Sequence, residues 1–178
     1  MSTMSVTREP PTSAAAPLDF DALYRDARDD VYAYVVTLLR DRGAAEDVTA
    51  QAFERAFRKA RRYDPDKGGP RAWLFGIARN AALDELRRRK RTAVLSAEPA
   101  DASAPAPEDA AERALERATV RAALAGLPPR ERELIALKFH AGLDNAELAA
   151  VLGVSVSNAG TQLHRAMTKL RKALDDRS

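Results

Sequence analysis

Residues 92–110, TAVLSAEPADASAPAPEDA, cannot build a core. Pro99, Pro105 and Pro107 lack amide donors and fix their own φ, and only alanines, Asp101 and Ser103 stand between them, so the segment runs extended and semi-rigid. Packing is confined to what lies on either side. The chain therefore reads as two units joined by a flexible Ala/Pro-rich linker over 92–117. Residues 1–17 hold three further prolines among Ser, Thr and Ala without periodicity, and read as a disordered tail.

No segment alternates apolar and polar residues at period two, whereas apolar residues recur every three or four positions in both units, so the fold class is all-α. In the first unit Leu23, Ala27, Val31, Tyr34, Val35 and Leu38 stripe a helix over Phe20–Leu39, and the DRG that follows predicts a glycine-terminated end. Val48, Ala52, Phe53, Ala56 and Phe57 stripe a second helix over Ala44–Tyr63. Its other face carries Asp47, Gln51, Glu54, Arg55 and Arg58, a pattern that fits a solvated surface as well as a binding one. YDPDKGGPR then enforces a loop, with Pro70 at the first turn of the next helix. In that helix, RAWLFGIARNAALDELRRRKR, one stripe of Leu74, Ile77, Ala78 and Ala81 packs, and Trp73 reads as core. Asn80, Asp84, Arg87, Arg88 and Arg91 line another side.

The second unit opens with LPPRERELIALKFHAGL, a supporting helix whose start is marked by Pro128 and Pro129. Asp144 and Glu147 then stand at capping-box spacing before a short helix to Leu152. Gly153 supplies a left-handed turn, and a second helix begins near Ser155 or Ser157. With small Ala149 where the two helices touch, this is helix-turn-helix spacing.

Charge and composition narrow the chemistry. Seven basic residues against two acidic ones give 71–91 a net charge of +5, while the whole chain carries only +3. Such a cluster suits a polyanion, whose counterions it would release, and it equally suits a solvated helix end that favours cations. The chain has no cysteine, and the two histidines, His140 and His164, have no ligand partner at helical spacing; residue 168 is Thr. No carboxylate cluster accompanies a glycine-rich phosphate loop, so no catalytic residue, metal or cofactor is expected. No apolar run approaches the roughly 18 residues of a membrane span, and no signal peptide is legible, so the expected location is cytoplasmic without membrane contact.

The order AEDVTAQAFERAFR, YDPDKGGPRAWLFGIARNAALDELRRRKR, a variable linker, and LPPRERELIALKFHAGLDNAELAAVLGVSVSNAGTQLHRAMTKLRKAL resembles the extracytoplasmic-function (ECF) branch of the sigma-70 family. The resemblance makes 18–91 sigma region 2, a helical bundle, and 118–178 sigma region 4, a helix-turn-helix domain. It implies a promoter-specificity subunit that directs core RNA polymerase and assists strand opening, with no enzymatic activity of its own. By the same resemblance Asn80, Asp84, Arg87, Arg88 and Arg91 meet the −10 element. Asp64, Asp66, Lys67 and Gly68 hold an extruded base, and Gly160, Thr161, His164 and Arg165 read the −35 element. Asp47, Gln51, Glu54 and Arg55 engage the clamp helices of the polymerase's largest subunit, while region 4 meets its flap. An anti-sigma factor is a further implied partner. The recognition helix departs from the family pattern: Gly160 and Gln162 stand where basic residues are usual, and Ala159 where valine or isoleucine is. A stand-alone helix-turn-helix regulator is the alternative reading.

Overall fold

The computed structural model of the chain describes residues 18–95 and 111–176; the expected tail and the proline-bearing part of the linker lie outside the described residues. Asp19 accepts from the amide of Ala22 and starts α1, Phe20–Leu39. The end of α1 differs from the expectation. Arg40, not a glycine, takes the left-handed conformation at φ 56°, and its amide bonds the carbonyl of Val36. The DRG that was to close α1 instead opens α2, Arg42–Lys59: the Asp41 carboxylate caps it by accepting from Ala44 at 3.0 Å, and Gly43 falls in its first turn. An extended aspartate with orphan amides in reach is a stronger start signal than a nearby glycine is a stop.

After 3₁₀ turns at Ala60–Arg62 and Pro65–Lys67, α3 runs over Pro70–Leu95. In the second unit α4 spans Ala111–Ala125 and α5 spans Pro129–Ala136, continued by a π-helical turn at Leu137–Ala141. Helix thus occupies both ends of 92–117. Then come α6, Asn145–Leu152, and α7, Val156–Asp175. The capping box of Asp144 and Glu147 closes in both directions, at 2.8 and 3.0 Å, and Gly153 takes φ 68°. Among the described residues there is no strand, and no helix is long and apolar enough to cross a membrane.

α1, α2 and α3 pack on one another, and α4, α5 and α6 each lie against α7. The predicted stripes of α1 and α3 are buried or packed against the core, but Phe57 is 67% exposed, its ring set edge-on to that of Phe20 at 5.3 Å between centroids. The two units then join. Leu137, Leu143, Leu148 and Ala149 belong to the same buried cluster as Val31, Tyr34, Leu74 and Phe75, because α5 and the π turn sit on α1 and α6 sits on α3. Fully burying a leucine is worth about 1.5–3 kcal/mol, so this shared core is a substantial attraction between the units. A second cluster, Ala123, Leu127, Ile135, Ala166 and Leu170, belongs to the second unit alone.

Candidate nucleic-acid interface

The loop before α3 is built tightly. Asp64 caps the Pro65–Lys67 turn by accepting from the amide of Asp66, and Lys67 lies 3.5 Å from the same carboxylate. The Tyr63 hydroxyl donates to the carbonyl of Gly68 at 2.9 Å, and its ring meets the edge of Trp73. Partial burial, with the Asp64 charge beside it, pushes the Tyr63 phenol up. Gly68 sits at φ 137°, a conformation open to glycine and strained for other residues. Asp64, Lys67 and Gly68 share one cleft with Trp73, Ile77 and Asn80 of α3; Ala150 and Val151 of α6 form its far side. Trp73 departs from the expectation of a core residue. It is half-buried and combines core packing with a position on the cleft wall.

The exposed side of α3 continues from that cleft. Asn80, Asp84, Arg87, Arg88 and Arg91 are all exposed and run along about three turns of the helix. Their charges are partly spent. Arg88 holds Glu85 with two bonds of 2.8 Å, and Arg89 spans from Glu85, at 2.7 Å, to Asp41, at 2.9 Å. The Arg88 hydrogen bonds, with those of Arg89 and despite burial, pull the Glu85 carboxyl down to about 2. Asp84 lies between Arg55 of α2 and Arg87, 3.3 Å from each. Glu85, absent from the expected site, organises its basic end through Arg88 and Arg89. The i, i+3 and i, i+4 spacing of Glu85 to Arg88 and Arg89 was the available signal.

On α2, Asp47, Gln51 and Glu54 are exposed and Arg55 half-buried; Glu54 pairs Arg58 at 2.6 Å. In the second unit Ser155 caps α7 by accepting from Asn158. Thr161, His164 and Arg165 are exposed at i, i+3 and i+4, one face of the helix. Gly160 is half-buried instead, and a Cβ there would stand 3.5 Å from the Asn145 amide of α6. Its place is at the helix crossing, and the fully buried Ala159 beside it allows the same close approach.

Other arginines face inward. Arg71, Phe75 and Arg79 stripe α3 at i, i+4 and i+8 on the side toward the second unit. Arg71 donates to the carbonyls of Ala141 at 2.6 Å and His140 at 2.8 Å and pairs with Asp30. Arg79 meets Glu133 of α5 at 2.6 Å, and the Tyr34 hydroxyl reaches the same oxygen at 3.4 Å. Burial, reinforced by the Glu133 charge, drives the Tyr34 phenol well up. His140 is half-buried, and burial lowers its imidazole. No group of three His, Cys, Asp or Glu able to hold a metal occurs among the described residues.

Residues 23–92 match the family model of Sigma-70 region 2, and residues 117–170 that of Sigma-70, region 4. Over 165 residues the chain is 35% identical to the ECF RNA polymerase sigma factor SigE of Mycolicibacterium smegmatis, covering 90% of this chain and 63% of that protein. It is 31% identical over 149 residues to the ECF RNA polymerase sigma factor SigK of Mycobacterium ulcerans, covering 82% and 80%. Its structure is similar to CnrH, solved in complex with the cytosolic domain of CnrY, with a TM-score of 0.66, 29% identity and 89% of each chain covered. The fold is shared with the sigma factor RpoE, solved with the anti-sigma factor NepR from Bartonella quintana, at a TM-score of 0.75 and 24% identity over 88% of this chain and 97% of that one.

Proposed function

The chain belongs to the ECF sigma factors of the sigma-70 family, and from that membership we propose that it directs core RNA polymerase to promoters and assists their opening. The observation that carries the reading is the convergence of a glycine-containing loop, Trp73 and Asn80 on one cleft, continuous with an exposed basic ridge. A strand separated at the −10 element would place an extruded base in that cleft. Extrusion costs a few kcal/mol, which stacking on Trp73 and bonds to Asn80 and the Asp64–Gly68 loop offset. Arg87, Arg88 and Arg91 hold phosphates and set the register, with Asp84 orienting Arg87. Thr161, His164 and Arg165 read the −35 element, and Gly160 contributes shape rather than charge.

Residues 18–91 act as region 2, 92–117 as the connection and 118–178 as region 4. Asp47, Gln51, Glu54 and Arg55 meet the polymerase clamp helices, region 4 meets the flap, and an anti-sigma factor controls access to both. The protein supplies no catalysis; the polymerase does. Its place of work is the cytoplasm, where promoters are. Run-off transcription with purified core enzyme tests this. Initiation from a subset of a genomic promoter library, absent with core alone, is the expected result; tight binding to duplex DNA without polymerase and no initiation would favour a stand-alone regulator instead.

A further inference from the structure

Asn158 and Gln162 stand one turn apart on α7, and Nε2 of Gln162 donates to Oδ1 of Asn158 at 2.7 Å. Gln162, in sequence a lost charge, has a partner in the structure. The pair is fixed from below, because the Ser155 hydroxyl accepts from the Asn158 backbone amide at 3.2 Å and holds the first turn. Buried Ala159, Ala166 and Leu170 mark the inner side of α7. Asn158, Thr161 and Arg165, at i, i+3 and i+7, share the opposite side and are exposed, with Gln162 half-buried beside them. Asn158 is the most N-terminal of these, and the N-terminal part of a recognition helix is the part that meets base edges.

We propose that Asn158 and Gln162 work as one hydrogen-bonded amide pair that reads a single adenine in the −35 element. The proposal rests on reading α7 as the −35 helix, and it adds two residues to Thr161, His164 and Arg165. Each amide carries one oxygen and one nitrogen, and their mutual bond occupies the oxygen of one and the nitrogen of the other. Whichever way that bond runs, the pair then presents a free donor from one residue beside a free acceptor from the other. Among the described residues no other hydrogen bond engages either side-chain amide. A donor beside an acceptor is the complement of adenine, whose major-groove edge shows the N7 acceptor and the N6 donor. Guanine shows two acceptors there, cytosine a donor alone, and thymine an acceptor with a methyl group, so each leaves one member of the pair opposed or unpaired. A polar group left unpaired at a desolvated contact is what costs affinity. Neither residue is charged, so this discrimination needs no counterion release. Hydrogen-bond specificity thus takes the place of the charge that the helix lacks.

The test uses holoenzyme reconstituted from core polymerase and the full chain. A promoter recovered by run-off transcription has its −35 region randomised, and bound templates are sequenced. Wild type is expected to enrich adenine over each other base at one position by at least about fivefold, the low end for a two-bond base contact. Asn158→Ala and Gln162→Ala each reduce that preference to within about twofold and leave the enrichment at other positions in place. The Ser155 cap uses only the Asn158 backbone, so the helix start survives the first substitution. The double variant is no worse than either single one, the mark of a unit rather than two independent contacts. The adenine-to-guanine ratio stays constant as salt is raised, while total binding falls. Adenine preference that survives in either single variant overturns the proposal. So does a loss of preference at every position alike, which is damage to the helix and not removal of a reader. Initiation by wild type with no base preferred at any −35 position removes the −35 reading of α7 and the pair with it, while no initiation from any promoter removes the sigma-factor reading itself.

Discussion

Glu85→Gln tests two consequences of one carboxylate. Glu85 is 12% exposed and accepts three hydrogen bonds from Arg88 and Arg89, which hold its carboxyl at about 2 against an ordinary 4.5. At 1.36 kcal/mol per pH unit that gap corresponds to on the order of 3 kcal/mol. Arg88 is 64% exposed, so solvent screens its share, and about 2 kcal/mol remains. The sign follows from the lowered folded value. The contribution is complete above pH 4.5, falls to about 40% by pH 3 and is gone below about pH 2. Urea unfolding of wild type and variant should therefore differ by about 2 kcal/mol at pH 7, with the difference more than halved at pH 3.

The same substitution has an opposite effect on DNA. Arg89 stays held by Asp41 at 2.9 Å, so the change releases one guanidinium, that of Arg88, to the phosphates. Open-complex formation by the variant holoenzyme should depend more steeply on salt, by roughly one in the logarithmic slope, and Arg87→Ala should flatten it by about as much. Equal stability at pH 7 would show that Glu85 is not holding the ridge together. An unchanged slope in both variants would show that the ridge does not touch phosphate.

Asp144→Ala removes one half of the capping box and should cost about 1 kcal/mol, seen as a fall of about 2–4 °C in the melting temperature of the full chain. Asn80→Ala should relax −10 preference in open-complex assays on scrambled templates while leaving polymerase binding, followed by co-purification, unchanged. Arg165→Ala should alter −35 preference with a loss on the order of 1–3 kcal/mol on the preferred template and less on a −35-scrambled one.

What the sequence made legible was local. The helix-turn-helix of Asp144, Glu147, Ala149 and Gly153 reads directly because each residue acts within one turn of itself, and the α1 and α3 stripes read for the same reason. The end of α1 did not, because Arg40 adopts a left-handed conformation that its residue type disfavours, while Asp41 competes to begin the next helix. The pairing of Arg79 with Glu133 lies 54 positions apart and has no periodic signature. From the sequence, Glu133 is one more charge on an amphipathic helix. Gly160 was legible as a loss of charge but not as a helix crossing, since that depends on where Asn145 comes to lie. The surplus of +5 over 71–91 also overstates what DNA would meet. Arg71 and Arg79 are turned inward, and Glu85 engages Arg88 and Arg89.

That division of the arginines sets a last test in salt titrations of open-complex formation. Glu85→Gln adds a phosphate contact from Arg88, so its effect should grow as salt is lowered and vanish as salt is raised. Arg79 is held by Glu133 at 2.6 Å, so Arg79→Ala should leave the salt slope of the holoenzyme unchanged. If Arg79→Ala instead flattens the slope, Arg79 reaches the DNA in the open complex, and the inner stripe of α3 belongs to the binding surface.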